Sequence, residues 1–353
     1  MTKHRGILIK NIYYMLSYAF HILKESTYDE IASEEFENLP DLFAAILAKG
    51  ISRQIKQGLY REYVTEYDNL STMRGKLRIH ETINNKLQRK QVLFCEYDEF
   101  SENNIFNQIL KTTAFILLRH PNLNSEHKTA LKKAMLFFDS IDVIDPSTIK
   151  WNMLRFRRNN QNYIMLMNLC YFVLNNLLMT TEKGKYKLAT FFDDQGMARL
   201  FEKFVLGYYR YHHPYLRPQP AQIKWNLDDV NNRSIDYLPI METDIVLRYK
   251  EKALIIDTKF YSRTMQTHAQ YDSRTIHSSH LYQIFTYVKN YDTGNTGNVA
   301  GLLLYAKTDE RITPDYDFQI GGNKISVKTL DLNVPFSAIA AQLNEIAASY
   351  IDI

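Results

Sequence analysis

The stretch METDIVLRYKEKALIIDTKFY, residues 241–261, sets Asp244, Asp257 and Lys259 inside two runs of strand-forming apolar residues. Charges in such runs need a partner, a metal or a reaction to offset their loss of water. Side chains alternate along a strand, so Asp257 and Lys259 share one face while Ile256, Thr258 and Phe260 take the other. Asp244 shares its face with Val246. Antiparallel pairing of the two runs brings Asp244 beside Asp257, with Lys250 and Glu251 at the tip; no Asn-Gly pair fixes the register there. Two carboxylates and an ammonium then converge at one end of a hairpin, a set suited to metal-assisted phosphodiester hydrolysis. Mg²⁺, or Mn²⁺ in its place, takes hard oxygen ligands. Asp244, Asp257 and the backbone carbonyl of Thr258 supply them, and Lys259 orients the attacking water or offsets charge in the transition state. A plain ion pair at a strand end uses the same residue types. The combination of Asp, a hairpin's length and Asp-x-Lys in a hydrophobic strand favours the hydrolytic site.

The elements around this hairpin must hold it. Residues 196–211 have helical spacing, 221–227, 242–249 and 252–261 read as strands, 279–290 as a helix and 298–306 as a strand. That order is α-β-β-β-α-β. A further hairpin follows at 317–330, turning at Gly321, Gly322 and Asn323, and Ser337 is placed to cap a last helix. The expected fold is mixed α/β. Its first half is largely helical and contains one β-hairpin, residues 60–79, bent near Gly75. A strand at 92–100 and helices at 41–58, 103–120 and 125–141 complete that half. The polar stretch 180–196 is the expected linker between domains at 1–185 and 190–353.

The 353 residues, 45% hydrophobic, fit two domains and exclude a fibrous or disordered chain. A net charge of +4 permits an acidic partner such as DNA without demanding one. Two cysteines, Cys95 and Cys170, exclude a zinc ribbon and fit a reducing cytoplasm. The apolar stretch 11–23 reads as a packed amphipathic helix with Ile12, Leu16, Ala19 and Leu23 on one face, not as a signal peptide. The stretch 163–178 is broken by Asn168, Asn175 and Asn176 and is shorter than the about 20 residues that span a bilayer. It is expected to be a buried helix.

Asp244 followed by Asp257-Thr258-Lys259 resembles the motif of the PD-(D/E)xK nuclease superfamily, although Glu-Thr rather than Pro directly precedes Asp244. NIYYMLSYA near the start, LPIMETDI, DTKFY, LYQIFTYV and GLLLYA extend the likeness over both halves. Together they resemble the McrC family, the endonuclease subunits of modified-cytosine (5-methylcytosine) restriction systems. That resemblance implies a phage-defence DNA endonuclease that cuts double-stranded DNA only with an AAA+ GTPase partner carrying the DNA-recognition domain, McrB-like. The N-terminal half would bind this partner and stimulate its NTP hydrolysis, with Arg74, Lys76 and Arg78 near the hairpin tip as the contacting residues. Carried over by position, Asp244, Asp257, Lys259 and Gln283 are catalytic, with Tyr287 on Gln283's helix face. Glu202 reads either as a further metal-shell carboxylate or as a solvated helix charge. Arg263, Arg274, His277 and His280, in the loop at the mouth of the site, are expected to contact DNA phosphates. A stand-alone repair nuclease and a non-catalytic NTPase-activating adaptor are the alternative functions.

Overall fold

Near-continuous apolar runs at residues 245–247, 253–256 and 299–306 dictate strands buried on both faces, and helices must cover them. The computed structural model describes residues 3–4, 7–20, 34, 36–176, 178–180, 186–188, 194–227, 237–260, 266–268, 273–307 and 313–351. They fall into two compact units: residues 1–42 with 189–353, and residues 43–188.

The first unit is built on a six-stranded sheet. Its strands are β4 (Gln219–Ile223), β5 (Met241–Tyr249), β6 (Lys252–Lys259), β7 (Val299–Ala306), β8 (Tyr316–Ile320) and β9 (Asn323–Leu330), in the order β8-β9-β7-β6-β5-β4. Its helices are α1 (Ile9–Ala19), α7 (Asp194–His212), α8 (Ser278–Tyr291) and α9 (Phe336–Ile351). The expected α-β-β-β-α-β order is therefore present. β5 and β6 pair antiparallel, and β6 and β7 pair parallel after the crossover through α8. One sheet face packs Val246, Ile255, Leu303 and Val327 against Ile284 and Val288 of α8. A Cβ at Gly301 would collide with those last two side chains, so glycine sets how closely α8 approaches. β4 is an edge strand of five residues, two residues upstream of the expected start, and it carries Pro220 at its irregularity, where no ladder donor is needed.

Two local readings differ. The turn after β8 uses Gly321 and Gly322, both at positive φ, whereas Asn323 opens β9 and its side chain donates to Asp292 and to the Val299 carbonyl. Ser337 lies inside α9, which already begins at Phe336, so it is not the cap.

The compact units divide the chain differently from the expected domain 1–185, because α1 packs on α7 and on the segment that leads from β9 into α9. The Asn11 side chain donates to the carbonyls of Leu332 and Val334, both at 2.8 Å, and the Tyr14 ring stacks on Phe336. α1 lies so close to α7 that a Cβ at Gly207 would strike the Tyr18 carbonyl. Partners so far apart in the chain leave no local trace in sequence. Leu23, expected on the same face, lies outside the described residues.

The second unit holds most of α2 (Leu39–Gln57), then α4 (Ile105–Leu118), α5 (Ser125–Met135) and α6 (Ile164–Asn176), packed through Leu110, Leu117, Leu166 and Val173. α6 is the buried helix expected at 163–178. The unit also holds β1 (Glu62–Leu70), β2 (Lys76–Leu77), α3 (Ile79–Leu87) and β3 (Leu93–Ser101). Here the expected hairpin is corrected: β1 pairs with β3, and β3 with β2, so β3 lies between the two strands that were to pair with each other. Gly75 turns the chain at φ +66°, pressed against the backbone of Glu96 and Tyr97 where no Cβ fits. α3 was not foreseen. Most of the expected linker lies outside the described residues; 178–180 and 186–188 form a short antiparallel pair. Among the described residues no helix is long and apolar enough to cross a membrane.

Candidate active site

The β5–β6 hairpin turns in two residues, Lys250 and Glu251, with Lys250 in the left-handed region at φ +53°. That tight turn fixes the register the sequence left open. Ile245 pairs with Ile256, so Asp244 and Asp257 are the next positions along the ladder. Asp257 is 2% exposed. The Lys259 Nζ lies 2.7 Å from its Oδ2 and forms an ion pair with that buried oxygen. The Asp244 Oδ2 accepts from the Thr258 N–H at 2.6 Å and from the Thr258 hydroxyl at 2.7 Å. Thr258 thus positions Asp244 directly, a role for its hydroxyl and amide that strand alternation alone hid.

α8 supplies the next group. Four-residue spacing stacks Gln283 and Tyr287 on one face. Lys259 donates to the Gln283 Oε1 at 3.1 Å, and the Gln283 Nε2 donates to the Tyr287 hydroxyl at 2.9 Å. The chain Tyr287–Gln283–Lys259–Asp257 holds the ammonium between an amide oxygen and a carboxylate.

The electrostatics record burial first and the neighbouring carboxylates after it. Burial pushes the Asp257 carboxyl up to about 6; Lys259 opposes that rise and Asp244 adds to it. Glu202, on α7, is pushed up to about 7, first by burial and then by Asp244, with Lys203 opposing and Asp257 adding. Glu202 therefore belongs to the electrostatic surroundings of the site rather than to a solvated helix face. Among the described residues no three His, Cys, Asp or Glu side chains converge closely enough to enclose a metal ion by themselves. The buried Asp257 carboxylate, with Asp244 beside it, does fit a hard cation that also takes backbone and substrate oxygens.

The loop candidates separate. His280 is buried, its Nδ1 2.8 Å from the Tyr305 hydroxyl, and its pKa falls to about 4 through burial, then Lys259, then His277. It is a neutral core histidine at physiological pH, which corrects its expected role as a cationic phosphate contact. His277 is half-buried at the start of α8, its ring 4.9 Å from that of His280. Arg274 lies on a short strand, 273–275, paired with 266–268; its side chain and all of Arg263 lie outside the described residues. In the other unit Arg74 pairs with Glu99 and sits over the Tyr97 ring, and Arg78 pairs with Glu96 and Glu81. Lys76 is exposed on β2 opposite Glu96. The structure thus brings Asp244, Asp257, Thr258, Lys259, Gln283 and Tyr287 together, and sets Lys76 on β2 of the other unit with Arg74 and Arg78 flanking that strand.

A mixed α/β unit with paired carboxylates and a lysine at the end of a central hairpin is the frame on which the comparisons fall. The chain belongs to the family of McrBC 5-methylcytosine restriction system components, whose model matches residues 4–306. It is 28% identical over 350 residues, 98% of either chain, to the type IV methyl-directed restriction enzyme EcoKMcrBC of Escherichia coli K12. Two solved structures are similar. One is a half-complex from the tetradecameric assembly of Thermococcus gammatolerans McrB AAA+ hexamers with bound McrC, at 19% identity and TM-score 0.48, covering 93% of this chain and 75% of that one. The other is the T. gammatolerans McrBC complex, at 24% identity and TM-score 0.38, covering 56% of each chain.

Proposed function

We infer that this chain is the Mg²⁺-dependent DNA endonuclease subunit of a methylation-dependent restriction complex, its second half a PD-(D/E)xK nuclease. The observation that carries this reading is the convergence of Asp244, Asp257 and Lys259 at the buried end of one hairpin. Asp244, Asp257 and the Thr258 carbonyl would hold Mg²⁺, with Mn²⁺ as a substitute. When bound, the ion would polarise the scissile phosphate and acidify water. The chain's own residues do the remainder. Thr258 fixes the rotamer of Asp244. Gln283, itself oriented by Tyr287, keeps the Lys259 ammonium beside the phosphate position, where it orients water and offsets the charge that develops.

The chain acts with an AAA+ GTPase that carries the DNA-recognition domain, and its second unit stimulates that partner. Membership of a family of restriction-system components, rather than of self-sufficient enzymes, supports this assignment. So does an outward apolar surface in the second unit: Ile79, Ile83 and Leu87 of α3, with Met73, all face solvent. Arg74, Lys76 and Arg78 border this surface in sequence and join it as partner contacts.

The test is plasmid cleavage by the chain and its NTPase partner with Mg²⁺ and GTP, on methylated and unmethylated DNA. Cutting of methylated DNA alone, lost in Asp257→Ala, is the expected result. Cutting without the partner would establish a stand-alone nuclease instead. GTPase stimulation without any cutting, equal for wild type and Asp257→Ala, would establish an adaptor.

A further inference from the structure

Between Asp145 and Glu182 the sequence holds no acidic residue, yet it carries Lys150, Arg155, Arg157 and Arg158. All four are exposed. Segment 154–157 is neither helix nor strand, but its course is fixed from within. Asn160 is fully buried; its Oδ1 accepts from the Arg157 N–H at 2.6 Å and its Nδ2 donates to the Arg155 carbonyl at 3.2 Å. Phe156, 41% exposed, packs edge-on against Phe106, ring centroids 5.6 Å apart. The guanidinium groups therefore project from an anchored backbone.

Their neighbours show what is unusual. In the same unit Arg61 pairs with Glu102 at 2.6 Å, Arg74 with Glu99 at 3.3 Å and Arg78 with Glu96 at 3.3 Å. Among the described residues no carboxylate forms an ion pair with Arg155, Arg157 or Arg158. Three exposed arginines within four residues, none of them in an ion pair with a described residue, form a patch of positive charge that an anionic ligand can offset. Guanidinium forks fit phosphate oxygens bidentately, and an anchored backbone reduces the ordering entropy of binding.

We propose that segment 150–158 is a second DNA-contact surface, which grips the duplex phosphate backbone independently of base sequence and apart from the catalytic carboxylates. The choice of DNA as ligand rests on the nuclease reading above. An acidic protein surface is the competing occupant.

The experiment measures binding of a short random-sequence duplex to the full chain by fluorescence anisotropy across a salt series, in EDTA so that nothing is cut. Replacing Arg155, Arg157 and Arg158 together by Ala should weaken binding about tenfold or more. It should also reduce the slope of log K against log salt by about 0.9 for each phosphate no longer neutralised. The corresponding triple Lys variant keeps the charge and should keep most of the slope. All three side chains are exposed, so unchanged thermal melting of the Ala variant is the expected folding check. The proposal is overturned if wild type and the Ala variant bind DNA alike, or if wild type does not bind it. It is equally overturned if the Ala variant keeps DNA affinity while losing affinity for the NTPase partner, which would make the loop a protein-docking site. Arginine-dependent binding by a wild-type complex that never cuts with Mg²⁺ would leave this surface standing and remove the nuclease reading instead.

Discussion

The end of the β5–β6 hairpin and the three-stranded sheet β1-β3-β2 break the usual partition of residues in opposite directions. The hairpin buries charge: Asp257 is 2% exposed, and the Lys259 side chain only 13%. The sheet and α3 expose apolar side chains: Tyr63, Tyr67 and Phe100 on the strands, and Ile79, Ile83 and Leu87 on the helix, Leu87 at 78%. α3 turns Thr82 and Asn85 inward. It does so because it lies beside β3 beyond the end of the short β2, where the strand's backbone needs partners: the Thr82 hydroxyl accepts from the Phe94 N–H at 3.0 Å. Polar groups satisfy the strand, and the apolar stripe faces out. Both departures cost stability that packing alone does not return. On the proposed function each marks a place that something outside the chain would complete: a cation and phosphate at the hairpin, a protein partner at α3.

If the buried charges exist for chemistry, removing one abolishes activity. Asp257→Ala should lower cleavage by the assembled complex about a thousandfold or more while GTPase stimulation persists. Retention of even a tenth of the cleavage rate would reduce the hairpin to a structural ion pair. Gln283→Ala should cost about 10- to 100-fold, the usual effect of a group that orients a catalytic one. Tyr287→Phe, which keeps the ring and removes only the hydroxyl that accepts from Gln283, should cost a few-fold. Rates ordered the other way would mean that Tyr287 meets the substrate and Gln283 does not.

The exposed stripe makes the opposite forecast. Ile83→Ser with Leu87→Ser should leave the melting temperature of the isolated chain nearly unchanged, because neither side chain is buried and the loss of helix propensity is small. It should raise the concentration needed for half-maximal NTPase stimulation about tenfold, as removal of two apolar anchors at an interface does. A fall in melting temperature without loss of stimulation would show that the stripe packs within this chain.

The two regions were also unequally legible in sequence. The hairpin could be read because alternation, three misplaced charges and a two-residue tip are all local. Thr258 was read only for its carbonyl; its amide and hydroxyl contacts to Asp244 escaped, since alternation assigns the side chain to the other face and the β5–β6 ladder ends one position short of Asp244. The sheet was misread because two strand-like runs near Gly75 invite a local hairpin, whereas the true partner of β1 lies beyond α3. The spacing of Ile79, Ile83 and Leu87 was the available sign of that helix. His280 was taken for a surface cation because its environment depends on Tyr305, 25 residues away. Glu202 needed the packing of α7 before its proximity to Asp244 could appear.

The smallest effect tests the comparison from its electrostatic side. Asp257 and Glu202 have pKa values raised to about 6 and about 7, above the about 4 of an unfolded carboxyl. For acids raised on folding, the folded state holds more protons, so stability falls as pH climbs from about 4 through about 7. Below about 4 both forms are protonated and the penalty is absent. A divalent cation binds the ionised carboxylates and competes with protons, so its stabilisation follows the opposite course and grows with pH. Millimolar Mg²⁺ should therefore raise the melting temperature of the chain by a few degrees near pH 8, and by much less near pH 5.5. In Asp257→Asn the increment near pH 8 should vanish, because the amide cannot supply the charge. Equal increments at both pH values, or an increment that survives in Asp257→Asn, would locate the ion elsewhere. The charges buried in the hairpin would then be an internal pair, and only the exposed stripe would still mark a function.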